Sequence, residues 1–284
     1  FDLGFKKDVD IRKSVERVKD ADIVIFASGI SPSLEGEEMG VNLPGFKKGD
    51  RTDIELPAVQ RELIDALHRA GKKIILVNCS GSPIGLEPET QKCEAILQAW
   101  YPGQQGGKAV AEVLFGDYNP AGKLPVTFYR NVSQLPDFED YNMTGRTYRY
   151  MQDVPLFPFG YGLSYTTFGY GKTVLDKNEL TAGQSLKLTV PVTNTGKRNG
   201  EEVVQVYLRK QGDAEGPIKT LRAFKRVSIP AGKTVNVEFD LKDKELEWWD
   251  DQSNTVRVCP GNYDIMVGGS SKEEDLQRTT IAIK

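Results

Sequence analysis

The stretch Ala58-Val59-Gln60-Arg61-Glu62-Leu63-Ile64-Asp65-Ala66-Leu67-His68-Arg69-Ala70-Gly71-Lys72-Lys73-Ile74-Ile75-Leu76-Val77-Asn78 reads as a helix running directly into a strand. Val59, Leu63, Ile64 and Leu67 fall on one helical stripe, and Gly71 supplies the stop. Lys73 to Asn78 is then an apolar run rich in β-branched residues, without the alternation of a half-exposed strand. The same plan occurs earlier: Asp10 to Asp20 places Ile11, Val15 and Val18 on one stripe, followed by Ile23-Val24-Ile25-Phe26-Ala27. Helix followed by fully apolar strand, twice, predicts a parallel sheet with helices on both faces, an α/β sandwich. A third strand is expected over Ala95-Ile96-Leu97-Gln98-Ala99-Trp100, ending at Tyr101-Pro102-Gly103. Gly106-Gly107 then opens a helix from Lys108 to Phe115.

From about Thr166 the texture changes to short alternating strands. Ser185 to Val190, Glu202 to Leu208 and Thr234 to Phe239 are separated by the turns Asn194-Thr195-Gly196 and Pro230-Ala231-Gly232, the pattern of an all-β immunoglobulin or fibronectin III-like sandwich. A chain of 284 residues suits two domains at roughly 100 to 200 residues each. The expected division is 1–165 and 166–284, with the boundary near Ser164 to Tyr170.

Composition removes several function classes. Lys+Arg 37 and Asp+Glu 40 are interspersed and leave a net charge of -3, so there is no basic footprint for nucleic acid. Cys79, Cys93 and Cys259 are scattered, with neither a disulfide framework nor paired zinc knuckles, and His68 is the only histidine. No metal or other cofactor is expected. Gly103 to Gly107 lacks both the following Lys and a full glycine fingerprint, which disfavours a nucleotide site. No run approaches 18 apolar residues, so no membrane span is expected. The chain starts at Phe1 without a signal-type segment, and the expectation is a piece of a longer polypeptide.

Ser33-Leu34-Glu35-Gly36-Glu37-Glu38-Met39-Gly40-Val41 places three carboxylates directly after the strand Ile23 to Ala27. In open α/β sheets ligands collect beyond the carboxyl ends of strands, and crowded like charges raise one carboxyl pKa towards that of a working acid. On spacing alone, a solvated acidic loop is the default reading, because Glu is common at surfaces. Trp100, Tyr101, Trp248 and Trp249 offer aromatic faces as candidate stacking platforms, although Trp248-Trp249 reads first as sandwich structure.

Three further stretches carry a resemblance: Trp100 to Gly107, Leu114-Phe115-Gly116-Asp117-Tyr118-Asn119-Pro120-Ala121-Gly122-Lys123-Leu124-Pro125-Val126-Thr127-Phe128, and Pro158-Phe159-Gly160-Tyr161-Gly162-Leu163-Ser164-Tyr165. With Val192 to Gly196 and Glu202 to Tyr207, they make the chain similar to the carboxyl-terminal half of glycoside hydrolase family 3 enzymes. The likeness is to an α/β sandwich domain followed by a fibronectin type III-like domain, with the amino-terminal barrel absent. It implies a retaining exo-hydrolase of β-linked oligosaccharides and aryl glycosides, acting in xylan or other carbohydrate breakdown. The β-xylosidase branch is closest, β-glucosidase next, and a periplasmic or extracellular location is implied.

In that family a barrel Asp is the nucleophile, and a Glu of the second domain is general acid and then general base. Retention requires the two carboxyls about 5–5.5 Å apart. Placing the family's acidic stretch and its following Asp-Arg on Glu35-Gly36-Glu37-Glu38 and Asp50-Arg51 selects Glu37. Glu35 and Glu38 stay open as alternatives, because Met39 to Gly49 is inserted and Glu38 stands where Gly is usual. Asp50 and Arg51 are candidates to pair at the loop's base. Without a barrel the chain alone is expected to be inactive. The competing class is a non-catalytic carbohydrate- or protein-binding module.

Overall fold

The computed structural model describes residues 9–35, 40, 44–47 and 50–284. These fall into two compact units, one within Phe1–Leu114 and Phe128–Asp140, the other Phe115–Thr127 with Tyr141–Lys284. In chain order the first unit holds α1 (Ile11–Glu16), β1 (Ile23–Gly29), α2 (Pro32–Glu35), β2 (Phe46–Lys47), β3 (Asp50–Arg51), α3 (Ala58–Arg69), β4 (Lys73–Cys79), α4 (Glu87–Thr90), β5 (Ala95–Gln98) and α5 (Gly106–Leu114).

The three longer strands lie in the order β1-β4-β5, and both pairings are parallel, from Ile23↔Lys73 to Gly29↔Cys79 and from Ile75↔Ala95 to Asn78↔Gln98. β4 is central, and Ile74, Leu76 and Val77 are buried accordingly. The apolar stripe of α3 turns Leu63, Ile64 and Leu67 inward, each burial stabilising by about 1.5–3 kcal/mol. On β1, Ile23 and Ile25 remain 52% and 50% exposed, so that face is open among the described residues. The first helix is shorter than its periodicity suggests. It begins where the Asp10 carboxylate accepts the Lys13 amide at 2.9 Å and ends at Glu16. The third strand stops at Gln98, because Trp100 takes a left-handed φ of 55° and turns the chain.

The second unit contains α6 (Thr147–Tyr150), β6 (Phe168–Tyr170), β7 (Val174–Leu175), β8 (Glu179–Leu180), β9 (Leu186–Asn194), β10 (Gly200–Lys210), β11 (Thr220–Ile229), β12 (Thr234–Leu241), α7 (Asp243–Leu246), β13 (Trp248–Asp250), β14 (Thr255–Arg257), β15 (Gly261–Gly268) and β16 (Gln277–Ile283). One sheet runs β11-β10-β15-β16-β8 and the facing one β12-β9-β6. Alternation along β9 buries Leu186, Leu188, Val190 and Val192 against Val204, Val206, Ile265 and Val267.

The polypeptide preceding the sandwich packs on it. Tyr148 stacks on Phe159 at 4.2 Å, meets Tyr207 edge-on at 5.9 Å and accepts the Leu221 amide at 3.1 Å. Gly160 has φ 77°, and a Cβ there would lie 2.0 Å from Gln205 Oε1. The absent side chain lets Gln205 Nε2 donate to the Gly160 carbonyl at 3.1 Å. Residues 141–165 therefore group with the sandwich, although the strand texture begins only at Thr166.

Candidate active site

The site is built at the carboxyl ends of β1, β4 and β5. β1 closes on Gly29, whose φ of 125° suits only glycine and whose Cβ would fall 1.9 Å from the Cys79 carbonyl oxygen. Buried Gln60 of α3 clamps this residue from the side, accepting the Gly29 amide at 3.0 Å and donating to its carbonyl at 2.8 Å. The chain then turns into α2. Ser31 starts that turn, its Oγ accepting the Leu34 amide at 3.2 Å and its carbonyl accepting the Glu35 amide at 2.9 Å. Ile30 and Leu34 are buried, so the acidic loop leaves a fixed base.

Glu35, the last residue of α2, is half-buried and held on both oxygens. Ser82 Oγ donates to Oε1 at 2.9 Å, and Tyr101 Oη lies 2.7 Å from Oε2 and 2.9 Å from the Ile30 carbonyl. Ser82 itself sits on a braced turn, where its carbonyl accepts from buried Ser80 Oγ at 2.8 Å. Gly81 makes the approach possible: a Cβ there would lie 2.6 Å from the Tyr101 ring and 3.2 Å from Glu35 Oε2. Burial and the hydrogen bond to Glu35 push the Tyr101 hydroxyl up to about 12, so it keeps its proton throughout the neutral range.

Arg51 closes the other side. Its Nη1 is 3.4 Å from Ser82 Oγ, its Nη2 donates to the Glu55 carbonyl at 3.1 Å, and Asp53 stands 3.9 Å away. Of the candidate pair Asp50–Arg51, Asp50 is exposed on the short β3, and Arg51 turns in towards Ser82, Asp53 and Glu55. Burial lowers the Arg51 pKa, opposed by Asp53, Glu35 and Glu55. Beneath this, Arg61 holds Glu89 through Nε at 2.8 Å and Nη2 at 3.1 Å, and Glu55 through Nη1 at 2.6 Å, tying the segment before α3 to α4.

Of the three carboxylates singled out by sequence, Glu35 is placed in this cluster, while Glu37 and Glu38 lie outside the described residues. Sequence reasoning missed Ser82 as a partner and considered Tyr101 only as a stacking surface. The signal was available in the topology: loops after adjacent parallel strands meet on the same edge. Trp100 packs edge-on against Phe128 at 6.1 Å, and His68 is exposed near the end of α3. Trp248 is a core residue, edge-on to Tyr263 at 6.0 Å, whereas Trp249 is half-exposed. Among the described residues no cluster of His, Cys, Asp or Glu could hold a metal, and no helix is long and apolar enough to cross a membrane.

An α/β unit with a hydrogen-bonded carboxylate loop at its strand ends, followed by a fibronectin-like sandwich, is the class these observations define. Residues 4–165 match the glycosyl hydrolase family 3 C-terminal domain and residues 202–271 the fibronectin type III-like domain. The chain belongs to glycoside hydrolase family 3. It is 55% identical over 99% of its length to a xylan 1,4-beta-xylosidase of Xylanibacter ruminicola, covering 32% of that protein. It is 37% identical to a periplasmic beta-glucosidase of Salmonella typhimurium, over 92% of this chain and 34% of the relative. Among solved structures, a β-glucosidase of Erythrobacter marinus superposes with a TM-score of 0.82 at 39% identity, over 96% of this chain and 36% of that one. The chain thus spans about a third of the length of these relatives.

Proposed function

We propose that this chain is the carboxyl-terminal part of a retaining, exo-acting β-glycosidase, a β-xylosidase before a β-glucosidase, with Glu37 as general acid and then general base. The observation that carries the residue choice is the double engagement of Glu35. A general acid must offer a proton to the departing glycosidic oxygen, and both Glu35 oxygens already accept hydrogen bonds from Ser82 and Tyr101. Glu35 instead anchors the point from which the acidic loop departs, and Glu37 follows two residues later. The identity to a xylan 1,4-beta-xylosidase supports the xyloside preference. The name of the Salmonella relative supports export to the periplasm or beyond.

In this reading the nucleophilic Asp comes from a barrel domain outside these residues. The proton passes from Glu37 to the leaving oxygen while that Asp bonds to the anomeric carbon. Ionised Glu37 then takes a proton from the water that releases the sugar. The chain alone turns over no substrate.

The test is Glu37→Gln in the complete enzyme. Expected is a loss of about 10²–10⁴-fold in kcat/KM on aryl β-xylosides with poor leaving groups, a much smaller loss in kcat/KM with dinitrophenyl leaving groups that need no protonation, and a kcat on the latter that falls with the missing base and is restored by azide. A uniform loss across leaving groups, or the leaving-group dependence appearing in Glu35→Gln instead, would move the role away from Glu37. Turnover by the 284-residue chain alone would contradict the barrel requirement.

A further inference from the structure

The second unit carries a concavity of about 280 Å³ lined by Arg149, Tyr150, Asp213, Arg222, Trp249 and Asp251. Strand alternation creates its aromatic wall. On β13, Trp248 points inward and is buried, so its neighbour Trp249 points out, 49% exposed. The Trp249 ring is held in place, because its Nε1 donates to Asp251 Oδ1 at 2.8 Å. Asp213 is also fixed: Oδ2 accepts from Trp248 Nε1 at 2.6 Å and Oδ1 from the Gly216 amide at 2.8 Å.

Two guanidinium groups complete the wall without an ion-pair partner among the described residues. Arg222 lies 5.6 Å from the Trp248 ring centroid and donates from Nη2 to the Glu247 carbonyl at 2.6 Å. Arg149 lies over the Tyr150 ring at 5.6 Å. Both Nε atoms are buried with no hydrogen-bond partner. Burial lowers the Arg222 pKa, and the neighbouring Arg149 charge lowers it further.

A preset indole face, two sets of unmatched donors and two immobilised carboxylates are complementary to a ring with an apolar C–H face and hydroxyls that both donate and accept. A carboxylate-bearing ligand would meet Asp213, Glu215 and Asp251 in the same pocket. An apolar ligand would strip water from guanidinium and carboxylate groups and return no hydrogen bonds. At about 280 Å³ the concavity lies just below the usual range of about 300 to 1,000 Å³ for ligand pockets, which suits a single sugar ring. We propose that the pocket on the fibronectin-like unit is a binding site for a neutral pyranose of a β-linked oligosaccharide, stacked on Trp249 and oriented by Arg149, Arg222 and Asp213.

The pocket's chemistry stands on these residues; the choice of xylan as probe rests on the functional reading above. The 284-residue chain is titrated with xylohexaose and, separately, cellohexaose, following tryptophan fluorescence and calorimetric heat. Expected is saturable binding in the range of about 0.1–1 mM, weakened at least tenfold by Trp249→Ala and within about threefold of the parent in Trp249→Phe. Trp249 is half-exposed, so Trp249→Ala should keep the parent circular dichroism spectrum and melting temperature. Arg149→Met should weaken binding with the fold intact. Saturable binding of cellohexaose in preference to xylohexaose would uphold the site and count against the xyloside reading. No binding of either sugar, or binding unchanged in Trp249→Ala, would overturn the proposal. Because no turnover is read, either result leaves the Glu37 assignment untouched.

Discussion

Replacing Tyr101 by Phe removes one hydroxyl from the Glu35 clamp and leaves the ring in place. That hydroxyl stands 2.7 Å from Glu35 Oε2 and 2.9 Å from the Ile30 carbonyl, and Ser82 supplies the other oxygen at 2.9 Å. A hydrogen bond to a charged group contributes about 1.5–3 kcal/mol when shielded from water. Tyr101 is 42% exposed, so solvent competes and the expected loss is about 1 kcal/mol. Ser82→Ala, acting on the same carboxylate, should lose a similar amount. In a Glu35→Ala background the Tyr101→Phe cost should fall to about 0.3 kcal/mol, what remains of the Ile30 contact, giving a coupling energy near 0.7 kcal/mol. Urea unfolding followed by helical ellipticity measures this in the relevant unit, because the longest helices, α3 and α5, both lie there. If Tyr101→Phe costs the same with and without the Glu35 carboxylate, the hydroxyl serves Ile30 alone. Glu35 Oε2 is then free of Tyr101, and Glu35 regains an equal claim with Glu37 to the acid/base role.

Two further perturbations follow from the packing. Gly29→Ala drives a Cβ to within 1.9 Å of the Cys79 carbonyl at a φ only glycine tolerates; a loss of about 3 kcal/mol or more is expected, and a change below 1 kcal/mol would refute the strand-end geometry. Lys123→Met strands the buried Glu202 carboxylate, which Lys123 approaches at 3.2 Å and Tyr170 Oη at 3.0 Å. Burial already raises the Glu202 pKa above 4.5, and Lys123 opposes that rise. With Lys123 gone the folded-state pKa climbs further. The variant should hold its stability below about pH 4.5 and lose about 3–5 kcal/mol as pH rises through the elevated value. Adding Glu202→Gln should restore most of it, and a pH-independent deficit would show that the pair acts by packing alone.

How much of this was legible differs element by element. Val59, Leu63, Ile64 and Leu67 marked α3 to within a residue, and the runs at Ile23 and Lys73 marked β1 and β4, because burial of one helical stripe or of an apolar strand is a local periodicity. The same holds for β9, β10 and β12 of the sandwich. The open face at Ile23 and Ile25 was not legible: an apolar strand at a sheet edge looks the same in sequence whether or not something lies against it. Nor was the grouping of residues 141–165 with the sandwich, which depends on Tyr148, Phe159 and Gln205 meeting across the fold.

For the site, sequence placed three carboxylates behind β1 and, through the family's motif, favoured Glu37. It could not distinguish an occupied carboxylate from an available one. The groups that occupy Glu35 lie 47 and 66 residues away, on loops brought to one edge only when β4 pairs in parallel with β1 on one side and β5 on the other. Residue type and spacing are properties of the chain, set by local periodicity and composition. Hydrogen-bond saturation is a property of the folded edge, and only tertiary structure decides which carboxylate is held and which is left to act.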